Sequence, residues 1–174
     1  MKLSHSVLAA ASLAVFSLTP ALLAHAKITQ QLSAKIDGKV FESDDDGITY
    51  LIPTKGVLNL IAVTKGASAY PPPKTLSDRL GIICRHFEGK PVKYQAKDFG
   101  NNGCEVKFTK GQSKQPFGEP VAEYDARDGK NMLEITSVNG KVIEGKFSFE
   151  LRDKKTKAVL SITEGTFKAE DRQI

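Results

Sequence analysis

The sequence predicts an all-β protein, an antiparallel β-sandwich or flattened β-barrel of about nine strands preceded by a cleavable signal peptide. Three observations lead there. Apolar and polar side chains alternate with a period of two in runs such as "GCEVKFTKG" and "KVIEGKFSFELRD". Reversal signals, Asp37-Gly38, Asn139-Gly140 and the polar stretch 153–157, fall between such runs. No convincing amphipathic helix is seen beyond the leader, a single helical turn near residues 75–80 being the one helical expectation.

The leader comes first. "MKLSHSVLAAASLAVFSLTPALLAHA" carries Lys2, an apolar run over 7–23 and small residues at Ala24 and Ala26, the pattern of a secretory signal peptide spanning 1–26. The run falls short of the roughly 20 residues that cross a bilayer, and Ser17, Thr19 and Pro20 interrupt it. A single domain over 27–174 is expected to follow, with no transmembrane segment and a periplasmic or secreted location. No cysteine stands directly after the expected cleavage point, where Lys27 is found, so a lipid anchor is not expected. Without the leader the chain keeps 24 basic and 20 acidic side chains, a net charge of +4, and one histidine, His86.

Strands are then expected in order. "LSAKI" and "VF" flank Asp37-Gly38, and a short strand covers 49–52. "GVLNLIAVT" is apolar on both parities except at Asn59, as in a more deeply buried strand. Further strands are expected over 81–87, 92–96 and 121–124. Between them, "GCEVKFTKG" turns Cys104, Val106 and Phe108 to one side. "MLEITSV" leads through Asn139-Gly140 into the longest strand, where Ile143, Gly145, Phe147, Phe149 and Leu151 share a face, and "AVLSIT" follows.

The chemistry these residues can support is narrow. Cys84 and Cys104 are the only cysteines, and in an exported chain they are expected to form a disulfide. Zinc would want about four ligands, more than two Cys and one His supply. "ESDDDG" places Asp44, Asp46 and Gly47 at positions 3, 5 and 6 of a calcium loop, but Pro53 stands where the twelfth-position glutamate belongs. Asp44 and Asp46 therefore remain only an irregular calcium alternative to a solvated turn. No Gly-x-Ser-x-Gly elbow or glycine-rich phosphate loop accompanies His86, and no catalytic residue or cofactor is assigned. The lysines are interleaved with glutamates, as on an ordinary solvated sheet face, so no nucleic-acid partner is expected. Two loops are candidates for recognition: Tyr70, Pro71, Pro72, Pro73 and Lys74 in "YPPPK", and Asn101 with Asn102 in "GNNG".

"AKIDGKVF", "MLEITSVNGKVIEGKFSF" and "SITEGTF" resemble an uncharacterised family of exported bacterial β-rich domains, often lipoproteins. The resemblance rests on Ala34, Ile36, Gly38 and Phe41, on Ile135, Thr136, Gly145, Phe147 and Phe149, and on Ile162, Thr163, Gly165 and Phe167. It implies an antiparallel sandwich or barrel and no established activity. The leading expectation is a cell-envelope binding or accessory module for a small apolar ligand or an envelope partner, by analogy with barrels that hold ligands between their sheets. The alternatives are a hydrolase of envelope polymers working through carboxylates, and a secreted inhibitor or host-directed factor acting through its loops.

Overall fold

The computed structural model describes residues 30–71, 73–100, 102–112, 119–126 and 129–172. Eleven strands follow one another: β1 (Gln31–Ile36), β2 (Lys39–Ser43), β3 (Ile48–Leu51), β4 (Gly56–Val63), β5 (Ser77–Phe87), β6 (Val92–Gln95), β7 (Cys104–Gln112), β8 (Ala122–Asp125), β9 (Met132–Asn139), β10 (Val142–Asp153) and β11 (Val159–Glu170). Among the described residues the helical pieces are single 3-10 turns at Asp45–Gly47 and Ala96–Asp98. The helical turn expected near 75–80 is not formed. From Ser77 onward that stretch is already β5, because Arg79 pairs with Val63 on one side and Thr109 on the other. Two neighbours satisfying the backbone outweigh a one-turn helix that would leave most of its groups unpaired.

The strands form one antiparallel sheet curled into a nearly closed barrel. Nine lie on a continuous path, β2-β1-β11-β10-β8-β7-β5-β4-β3. β10 is long enough to serve two neighbours along one edge: its first half pairs with β9, which carries β6, and its last residues, Arg152 and Asp153, pair with β8. The seam between the path ends is closed by polar groups. Tyr50 of β3 bridges to Asp171 beyond β11. The buried Gln30 side chain donates to the Asp45 carbonyl at 3.2 Å and accepts from the Glu170 amide at 2.8 Å.

The facing predicted for the longest strand holds: Ile143, Gly145, Phe147, Phe149 and Leu151 all point into the core. Phe147 and Phe149 stack with ring centroids 5.2 Å apart, and Phe99 meets Phe149 edge-on at 5.9 Å. Across the barrel Phe41 meets Phe108 at 6.2 Å. The hairpin at Asn139-Gly140 sits one residue later than the dipeptide suggests. Asn139 pairs with Val142, so Gly140 and Lys141 make the turn and Gly140 alone takes a positive φ, +59°.

Cys84 and Cys104 form a buried disulfide. They face each other directly across β5 and β7 with Cα atoms 4.0 Å apart, so the bond fixes the register of this pair. Closing the intervening loop restricts the unfolded chain by roughly 3 kcal/mol.

Candidate functional site

The outer face of β4, β5, β7 and β8 carries a groove of about 780 Å³. Its geometry follows from register. One row across the sheet is Asn59, Ile83 and Glu105; the next is Ile61, Gly81, Lys107 and Asp125; a third is Val63, Arg79, Thr109 and Glu123. Gly81 lies in the middle row and, having no side chain, leaves the floor low between Ile61 and Lys107. Packing does not demand that glycine: a β-carbon there would meet only the Lys107 carbonyl oxygen, at 3.9 Å. A glycine inside a strand weakens it and often marks the close approach of something else.

An ion ladder forms one wall. Lys107 pairs with Glu123, and Lys154, from the turn after β10, reaches Glu123 at 3.3 Å and Asp125 at 3.6 Å. The Lys107 hydrogen bond, reinforced by Lys154, holds the Glu123 carboxyl below its usual range. Gln112 and Pro120 line the groove as well, and Gly100 approaches it on the disulfide side. Thr109, although on the outer face, is buried.

"GVLNLIAVT" sinks one parity of side chains fully and the other only in part. Leu58, Leu60 and Ala62 enter the core, whereas Val57, Asn59, Ile61 and Val63 are only half-buried. Among the described residues no second layer covers them. Sequence reasoning missed Gly81, Asn59, Ile61, Arg79 and Ile83 as site residues. The signal was present in two apolar-on-both-parities segments, "GVLNLIAVT" and "RLGIIC", the second broken by a central glycine.

The expected site residues lie elsewhere. Asp44 spends both carboxylate oxygens on backbone, accepting from Gly47 N at 3.0 Å and Gly66 N at 2.9 Å, and Asp46 is exposed. Among the described residues no three His, Cys, Asp or Glu side chains converge as metal ligands. Tyr70 is 96 % exposed, Pro71 and Lys74 are exposed and Pro73 is half-buried. Asn102 is exposed beside Cys104, and Pro72 and Asn101 lie outside the described residues. The two loops are rooted at opposite ends of β5, one before Ser77 and the other next to the partner of Cys84, so they do not form one site. His86 takes φ +67° as the extra residue of a bulge in β5, which turns it outward while Cys84 points in. A smaller depression of about 380 Å³ lies beside it, lined by Tyr94, Lys97 and Asp98 among others. Burial, with Asp98 and Glu88 nearby, raises the Tyr94 phenol.

Set against known proteins, the chain matches no family model, no curated protein and no solved structure. The resemblance carried by 34–41, 132–149 and 161–167 therefore rests on those residues alone. Among the described residues no helix is long and apolar enough to cross a membrane.

Proposed function

We propose that this protein is an exported binding module of the cell envelope that takes a small molecule into the groove over Gly81. The observation that carries the proposal is a strand-centre glycine that the fold does not need, set at the floor of the concavity. A position of that kind favours removal of a side chain for the sake of an occupant. The interior is a poorer host, since Phe41, Phe99, Phe108, Phe147, Phe149 and Phe167 are all buried there. The groove favours binding over general-acid hydrolysis as well: Glu105, Glu123 and Asp125 are each paired to a cation. Catalysis by paired carboxylates wants one acid with a raised pKa, and Glu123 is held in the opposite direction.

Native mass spectrometry of gently purified protein tests this. A retained small molecule on the wild type that is absent from Gly81→Leu, with both proteins folded, is the expected result. The same adduct on both proteins, or bare mass on both, would refute it.

A further inference from the structure

The charges along the groove are unevenly satisfied, and the imbalance points to the chemistry of its occupant. Three cations line it, Arg79, Lys107 and Lys154, with three carboxylates, Glu105, Glu123 and Asp125. Lys107 and Lys154 are spent on Glu123 and Asp125, and Glu105 is drawn to Arg85 at 3.0 Å. The Arg79 side chain has no ion-pair or hydrogen-bond partner among the described residues and the residue is half-buried against the sheet. A guanidinium in that setting presents a fork of donors matched to a carboxylate or phosphate.

The opposite need arises at Asn59. Its side-chain oxygen Oδ1 is buried and without a hydrogen-bond partner, although the residue lines the groove. Buried amides ordinarily find partners, so an unpaired one on a residue that lines the groove marks where a ligand group would sit once the side chain turns toward it. A hydroxyl both donates and accepts, and satisfies an amide in either orientation.

Register sets the distance between the two groups. Arg79 pairs with Val63, which lies four residues along β4 from Asn59, a span of roughly 13 Å. Between them the floor is Ile61, Gly81 and Ile83, apolar and without a charged side chain of its own. Ile83 is 38 % exposed, so part of this apolar floor is open to a ligand.

We propose that the groove binds an amphiphilic carboxylate of medium chain length, its carboxylate on Arg79, its apolar body over Gly81 and a remote hydroxyl on Asn59. This inference rests on the groove being the binding site. The body contributes burial against the two isoleucines, the carboxylate supplies the anion that Arg79 lacks, and the hydroxyl fills the Asn59 amide.

The test titrates 15N-labelled, oxidised protein with 10-hydroxydecanoate, decanoate and 1,10-decanediol, with affinities from calorimetry. The amides of Ile61, Gly81, Ile83 and Lys107 should shift, and 10-hydroxydecanoate should bind best. Arg79→Gln should weaken it roughly ten- to a hundredfold while leaving the diol unaffected. Asn59→Leu should erase its advantage over decanoate. Equal affinity for acid and diol, or an unchanged affinity in Arg79→Gln, overturns the ligand class and leaves the groove standing. No shift at these amides with any of the three compounds also overturns the ligand class, while the retained-molecule measurement continues to judge the groove itself.

Discussion

Three glycines with one covalent structure play two different parts here. Gly145 sits opposite Phe167 and Gly165 opposite Phe147 on β10 and β11, each glycine roofed by the ring of its cross-strand partner. A β-carbon at either position would run into that ring, whereas one at Gly81 meets nothing closer than 3.9 Å. Gly165→Ala should therefore lower the unfolding free energy measured by urea titration by about 1 to 3 kcal/mol through overpacking, and Gly145→Ala should do the same. Gly81→Ala should leave stability unchanged or raise it, by up to about 1 kcal/mol, because alanine costs less backbone entropy in a strand. Equal destabilisation at Gly81 and Gly165 would mean that Gly81 is a packing glycine and that the groove is incidental.

At the scale of elements, alternation does most of the specifying. Along β10 the inward parity is apolar or glycine from Ile143 to Leu151, so a single shift of register would expose five core positions. Phe149→Asp should leave no cooperative transition by circular dichroism, whereas Ser148→Asp, half-buried on the other face, should melt within about 0.5 kcal/mol of wild type. Similar melting of the two variants would reverse the assigned facing. This element was legible in the sequence because one face meets oil and the other water. β4 was only half legible: apolar side chains on both parities read as deeper burial, and no local pattern distinguishes a covering layer from a groove. The shift of the hairpin to Gly140-Lys141 and the outward turn of His86 were hidden for a related reason. The first depends on Asn139 pairing with Val142, a ladder contact that the dipeptide alone does not specify, and the second on Phe87 pairing with the distant Gly56.

For the whole molecule the decisive feature is closure. The all-β class and the disulfide could be read from alternation and cysteine count, though eleven strands form where about nine are expected, but the seam could not, since it joins residues 30, 45, 50 and 170–172 from both ends of the described chain. Burial, with the Asp171 carboxylate beside it, pushes the Tyr50 phenol up to about 12. The sign follows directly. A raised phenol keeps its proton in the folded state after the unfolded chain has lost it, so its contribution is whole below pH 10 and disappears as pH climbs through 12. Wild-type stability should fall over that window by roughly 2 to 3 kcal/mol on account of this group, and Tyr50→Phe should flatten the fall. An identical alkaline profile in the variant would place the titrating group elsewhere.

The groove depends on this closed, ring-filled barrel, because a full interior leaves the outside of β4, β5, β7 and β8 as a surface with room for an occupant. The most direct measurement is the 15N spectrum of the purified protein before and after extraction and return of any small molecule that co-purifies with it. Recognition on the outer strands requires shifts concentrated at Asn59, Ile61, Arg79, Gly81 and Lys107, with Phe147, Phe149 and Ile162 unmoved. Shifts concentrated at those three core residues would place the ligand inside the barrel and contradict it.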